Sequence, residues 1–207
     1  REYGISRVYT DCRALFQEAD VDTAYIALVN PVHYAYARKA LLAGKNVILE
    51  KPFCTRFAQT QELAELARKK GLILLEAMPL WHGALFRKIR ELVSALGSIR
   101  LVQGNYSQYS SRYDRYLAGE VLPAFDPALA GGALYDLNVY NIAWTAGLWG
   151  LPGKVLYAPN RGWNEVDTSG VLLLGYPGFQ ATLSAAKDSD SPSGFLVQGE
   201  KGWLKVE

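Results

Sequence analysis

The sequence predicts two α/β layouts in succession. The first is a parallel sheet with crossover helices; the second is an α+β half on a large, mostly antiparallel open sheet. Three observations carry this. Residues 21–75 alternate short apolar runs with helical periods, the signature of right-handed parallel crossovers. Residues 155–206 hold closely spaced strand runs, with Pro177-Gly178 and Glu200-Lys201 as hairpin turns. An amphipathic stretch at 84–96 stands between them. The expected domains are residues 1–78 and 79–207.

The elements follow in order. Residues 1–9 read as the tail of a helix and a short strand. Thr10 or Asp11 is placed to cap a helix running to about Ala19, with Ala14, Leu15 and Phe16 on its buried side. The run VDTAYIALV, 21–29, is a strand that Asn30-Pro31 breaks. Residues 33–43 form a helix ended by Gly44. Val47-Ile48-Leu49 is a short strand, apolar on both faces as in a parallel sheet. Thr55 is positioned to cap the next helix, which carries Leu63, Leu66 and Ala67 and stops at Gly71. Residues 72–75 make a third strand. In the second half, ALFRKIRELVSAL (84–96) sets Leu85, Ile89, Leu92, Val93 and Leu96 on one side, and Gly97 ends it. Residues 99–109 are a long, loosely alternating strand. Residues 110–130 show no clean period, and a loop of this length in a compact domain is more often functional than idle. Two glycines then open a helix, and the runs 155–158, 170–176, 179–185, 195–199 and 203–206 are strands.

The totals narrow the function. Half of the 207 residues are apolar, a fifth are charged, and the formal charge is +2, spread along the chain. Nothing there calls for a nucleic-acid groove or an anionic membrane. Cys12 and Cys54 make no disulfide framework, and with only His33 and His82 beside them they make no metal site. A reducing, cytoplasmic setting is expected. No apolar run approaches the ~20 residues of a membrane span, and no signal peptide is visible. The 13 tyrosines and 5 tryptophans suit both sugar-like pockets and subunit interfaces.

The chemistry concentrates at Glu50-Lys51-Pro52, directly after the buried strand. Proline cannot extend the strand, so the charges sit at its tip. Ligands of open α/β sheets bind at the carboxyl ends of strands. A lysine there is partly dried by the strand beneath it, and desolvation moves an ammonium toward neutrality, which suits proton transfer. The plainer reading is a solvated Lys-Pro turn. A second stretch, Gly131-Gly132-Ala133-Leu134-Tyr135-Asp136, continues to Tyr140. Glycines let a backbone approach a ligand at a helix start, and Asp136 and Tyr140, four apart, share a helix face. Core packing of Tyr140 and Trp144 is the plainer reading here.

The run A-L-L-A-G-K-N-V-I-L-E-K-P-F, 40–53, closely resembles the nucleotide-binding half of the glucose-fructose oxidoreductase / inositol dehydrogenase (Gfo/Idh/MocA) family. Asn30-Pro31-Val32-His33 resembles that family's T-P-N-x-x-H loop, with Leu28-Val29 in place of Thr-Pro. Glu76-Ala77-Met78 is similar to the exit segment of the dihydrodiol-dehydrogenase-like branch. Residues 131–141 are similar to the G-G-G-x-L-x-D-x-G-x-H/Y segment, with Asn138 for the usual glycine and Tyr140 in the His/Tyr place. The resemblance implies a partial Rossmann domain followed by a substrate and oligomerisation domain whose open sheet joins subunits, with Tyr157, Trp163 and Tyr176 there or covering the sheet. It implies that the family's G-x-G-x-x-G, the first two strands and a helix belong ahead of Arg1, and that the family continues past Glu207. The cofactor implied is NAD or NADP, held by Asn30, His33, Glu50, Lys51 and Pro52. The catalytic group implied is Lys51, Tyr140 and Asp136, with no metal. The expected reaction is hydride transfer between the nicotinamide and a secondary hydroxyl or ketone of a sugar, polyol or cyclic diol. A non-catalytic, sugar-sensing relative is the alternative, and a fragment without a ligand is a third.

Overall fold

The computed structural model describes residues 3–5, 7–18 and 20–207. The chain divides into two compact units, Arg1–Ala77 and Met78–Glu207.

The first unit is a parallel sheet with helical crossovers. Helix α1 spans Cys12–Glu18, and Asp11 caps it by accepting the Arg13 N–H at 3.0 Å. Its predicted end at Ala19 lies outside the described residues, and no strand forms among the described residues before Asp11. Strand β1 covers only Thr23–Ile26, because the chain leaves the sheet before Asn30 and coils into a single 3-10 turn, Asn30–Val32. Helix α2 is His33–Leu42, β2 is Asn46–Glu50, α3 is Phe57–Lys70 and β3 is Leu74–Ala77. The sheet order is β1-β2-β3, all parallel, so β2 is central. Val47 and Leu49 are fully buried with Ala37, Ala40, Leu41 and Leu63. Helix α3 starts two residues later than the expected cap at Thr55, and Arg56 precedes it without a side-chain cap. Gly71 ends it in the left-handed conformation, φ +65°, which glycine takes at no steric cost.

The second unit opens with α4, Pro79–His82, and α5, Ala84–Val93. The buried side of α5 is Phe86 and Ile89, whereas Leu85 and Leu92 are exposed. Strand β4 is Ile99–Ser107. The region without a period folds as a one-turn helix α6, Tyr113–Leu117, and two 3-10 turns, Pro123–Phe125 and Pro127–Leu129. It has a core of its own in Tyr116, Phe125 and Val166. One wide π-type turn, Leu134–Asn138, feeds α7, Val139–Trp149. Strands β5 (Lys154–Arg161), β6 (Asp167–Tyr176), β7 (Phe179–Ala186), β8 (Gly194–Gly199) and β9 (Gly202–Val206) follow. The sheet order is β5-β6-β7-β4-β8-β9. Every pair is antiparallel except β4 with β7, which run parallel and join residues such as Gly104 and Ser184, 80 apart in sequence.

Alternation gives this sheet two different faces. Val102, Leu172, Leu174, Leu183 and Val197 point into a core closed by Phe86, Ile89 and Trp144. The other face carries Leu101, Val171, Leu173 and Trp203, all exposed, among Gln103, Thr182 and Ser184. Tyr157 and Tyr176 pack on the core side of the sheet instead, and Trp163, which is exposed, lies in the turn between β5 and β6. Tyr157 donates to Asp167 at 2.5 Å, Trp163 stacks on Tyr116, and Tyr176 stacks on Phe179 and donates to Gly150 O at 3.0 Å.

Candidate active site

In the first unit the candidate site forms where the parallel strands end. Glu50 closes β2, and its carboxylate accepts the Lys51 N–H at 3.1 Å and the Tyr25 hydroxyl. Lys51 follows, half-buried, and its bond to Pro52 is cis. Two further side chains fix this tip. The fully buried His33 ring lies between Leu28 O, 2.9 Å from Nε2, and Pro52 O, 3.0 Å from Nδ1. A neutral imidazole donates to one carbonyl only, and the doubly protonated ring satisfies both. His33 therefore ties the loop after β1 to the loop after β2. With its ring enclosed and both nitrogens committed, it supports the site where the sequence had placed it as a ligand contact.

Glu76 is the second brace, and sequence reasoning passed over it as part of a domain exit. From β3 it accepts the Phe53 N–H at 3.0 Å. Burial raises its pKa above the ordinary carboxylate value; the Phe53 N–H pulls it back, and the charge of Glu50 pushes it further up. Asn30 opens the 3-10 turn beside this tip, and its carbonyl accepts the His33 N–H. In this unit the structure thus gathers Glu50, Lys51 and Pro52 at one strand end.

In the second unit the Gly-Gly stretch is packed against protein, which differs from its expected role at a ligand. A Cβ on Gly131 would stand 2.7 Å from Pro123 O, and one on Gly132 1.9 Å from an Asp167 carboxylate oxygen. Gly132 also has φ +110°, so glycine is required twice over. Asp167 accepts the Leu134 N–H at 2.7 Å and the Tyr157 hydroxyl, capping the start of the π turn. Burial first, and then the hydrogen bond to Asp167, push the Tyr157 phenol far above its ordinary pKa.

Asp136 lies within that wide turn and Tyr140 in the first turn of the helix after it, and their side chains go to different partners. Asp136 accepts from the Lys187 ammonium at 2.7 Å, and Lys187 is fully buried. Tyr140 stacks on Tyr106 with ring centroids 5.4 Å apart. The two tyrosines line a cavity of about 250 Å³ with Leu80, Trp144, Phe195 and Glu207. Asn138 shows why a polar residue replaces glycine here. Its buried side chain donates to Leu183 O at 3.1 Å and accepts from Asn141, which also donates to Ser184 O at 3.0 Å. Two asparagines thereby fasten the helix to β7. Lys187 and Tyr106 were not picked out in the sequence. A lysine among Ser, Asp and Ala reads as solvated, and Tyr106 as one aromatic in an alternating strand.

Two family models match the chain. One, for residues 1–78, is described as an oxidoreductase family with an NAD-binding Rossmann fold; the other, for residues 86–205, is a GFO/IDH/MocA C-terminal domain. The scyllo-inositol 2-dehydrogenase (NADP(+)) IolU of Bacillus subtilis (strain 168) is 34% identical over 209 residues, a match that covers 100% of this chain and 63% of the relative. The trans-1,2-dihydrobenzene-1,2-diol dehydrogenase of Sus scrofa is 29% identical, covering 100% of this chain and 61% of that protein. The chain thus spans about three fifths of the length of these curated relatives. The crystal structure of myo-inositol 2-dehydrogenase from Lactobacillus plantarum superposes with a TM-score of 0.83 at 21% identity, covering 99% of this chain and 63% of that one, a likeness of fold.

Proposed function

The chain belongs to the GFO/IDH/MocA oxidoreductase family, and from that premise we propose that the parent protein is an NAD(P)-dependent dehydrogenase. Its substrate is a secondary hydroxyl, or the matching ketone, of a sugar, polyol or cyclic diol. The observation that carries this reading is the lysine at the carboxyl end of the central parallel strand, braced by Glu50, His33 and Glu76. Ligands of open parallel sheets settle at that edge. The donor set fits the nicotinamide end of a dinucleotide. Glu50 already accepts a hydroxyl hydrogen bond from Tyr25, the chemistry a ribose hydroxyl offers. Glu50, Lys51 and Pro52 would hold the nicotinamide end of a bound coenzyme, which would supply a hydride acceptor for the carbinol carbon.

The residues of the chain handle the remaining charge and proton. The Lys51 ammonium holds the substrate oxygen and stabilises the negative charge it develops. The Tyr140 hydroxyl oxygen exchanges the proton with that oxygen, and Asp136 orients the reacting hydroxyl or a neighbouring one. Oxidation then leaves a ketone, a reduced coenzyme and one proton passed on to water. NADP enters as a candidate through the name of the Bacillus relative, and a cyclic polyol or diol through the names of both curated relatives.

The exposed apolar side chains on the open sheet face support a homo-oligomer formed there. Among the described residues no helix is long and apolar enough to cross a membrane, and Cys12 and Cys54 are both unpaired, which supports a reducing, cytoplasmic location. The deciding test is Lys51→Ala in the parent protein. Turnover, followed as coenzyme absorbance with scyllo-inositol and trans-1,2-dihydrobenzene-1,2-diol, should fall by about 100-fold or more with the circular dichroism unchanged. Turnover equal to the unaltered protein removes Lys51 from the reaction.

A further inference from the structure

Lys187 sits at a junction that the proposed reaction has not yet used. It follows β7, and its backbone is held on two sides: its N–H donates to Thr168 O at 2.8 Å, and its carbonyl accepts the Ser110 N–H at 2.9 Å. The side chain is only 2% exposed. Its ammonium donates to Asp136 Oδ2 at 2.7 Å and to Ala124 O at 2.8 Å, and lies 4.5 Å from the centre of the Phe125 ring. One cation thus joins the strand end, the aperiodic 110–130 region and the helix that carries Asp136.

Stability alone is a poor reason for a lysine in this place. Taking an ammonium out of water is costly, and an apolar side chain of similar volume often serves a core as well or better. The pair does supply what an apolar residue cannot. It fixes the rotamer of Asp136 from one carboxylate oxygen, and it favours the ionised carboxylate. The Ala124 and Phe125 contacts fix Lys187 in turn, so the carboxylate is located against rigid backbone. Asn138 and Asn141 hold the same helix to β7 from the next turn.

We propose that Lys187 is a positioning residue that acts through Asp136, holding that carboxylate charged and oriented for the substrate hydroxyl. The inference rests on the dehydrogenase reading above, and it adds a fixed outer partner to the catalytic group.

The test uses the parent protein and four variants: Lys187→Met, Lys187→Arg, Asp136→Asn and the Met/Asn double variant. Coenzyme reduction is followed with scyllo-inositol, myo-inositol and trans-1,2-dihydrobenzene-1,2-diol. Lys187→Met should lower kcat by about 10- to 100-fold, the scale seen when outer partners of site groups are removed. The KM for coenzyme should stay unchanged, and Lys187→Arg should restore most of the loss. In the Asp136→Asn background the methionine should add about twofold or less, because its partner is already neutral. Urea midpoints of the same proteins report folding, and the arginine variant carries the test if the methionine variant does not fold. A Lys187→Met enzyme with unaltered kcat overturns the inference while Asp136→Asn still shows the carboxylate at work. So does a loss that multiplies in full with Asp136→Asn, or one that arginine shares undiminished. Full activity in Asp136→Asn, or oxidation of none of the three compounds by the unaltered protein, fails the dehydrogenase reading itself and takes this inference with it.

Discussion

At the residue scale, the braces around Lys51 are polar groups, His33 buried and Glu76 half-buried, whose removal has a definite sign. Replacing His33 by leucine removes both ring contacts, to Leu28 O and Pro52 O, and leaves at least one of these carbonyls without its donor beside an apolar side chain. The expected loss is about 2 to 4 kcal/mol of stability, read from urea unfolding. Glu76 behaves oppositely at neutral pH. Its folded pKa is raised, chiefly by burial, so the folded chain keeps this proton to higher pH than the unfolded chain does. Stability from this group is therefore present below the ordinary carboxylate range and falls as pH rises through the folded value. Glu76→Gln keeps an acceptor for the Phe53 N–H and has no charge to bury. As pH rises above the ordinary carboxylate range, the unfolding midpoint of this variant should therefore lose less, or gain more, than that of the unaltered protein. An unchanged slope would locate that pH dependence elsewhere. Glu50, Lys51 and Pro52 were legible because an apolar run ending in charge and proline marks a strand tip. The partners of the site were not. His33 is one ring in a helix start, and what it holds is carbonyls from two loops that only the fold brings together.

Among the elements, the helices and strands with long periods were readable and the short, proline-cut ones were not. The wide turn at Leu134–Asn138 has no signature in composition. Asp136 lies inside it and pairs with Lys187, while Tyr140 follows it and stacks on Tyr106. The late start of α3 shows the same limit, since Thr55 has a capping side chain but the chain turns into the helix only after Arg56. Gly132 was noticed for a reason the structure replaces: Asp167 fills the space a side chain would need. Gly132→Ala should therefore expel Asp167 from Leu134 and Tyr157 and destabilise the protein by about 3 kcal/mol or more. Gly178→Ala provides the control. It also has positive φ, +90°, but meets nothing within 4 Å, so thermal unfolding should report a loss nearer 1 kcal/mol.

For the whole molecule, the two units differ in how much of their surface pattern the sequence could explain. Alternation in β6 and β7 announced a sheet with one wet face, and the register shows that Leu101, Val171 and Leu173 share it. If copies of the parent protein associate there, Val171→Glu should shift the sedimentation coefficient toward the monomer and leave the circular dichroism as it was. An unaltered sedimentation profile would send the search for an interface elsewhere. Strand order was the part no local pattern carried, because β4 finds β7 and β8 only through contacts between distant segments. That parallel seam has a consequence for biosynthesis. When β4 leaves the ribosome, both of its eventual neighbours are still untranslated, so its hydrogen-bonding edges must wait. Chaperone occupancy on the nascent chain should therefore rise after residue 107 and fall once β7 and β8 have emerged.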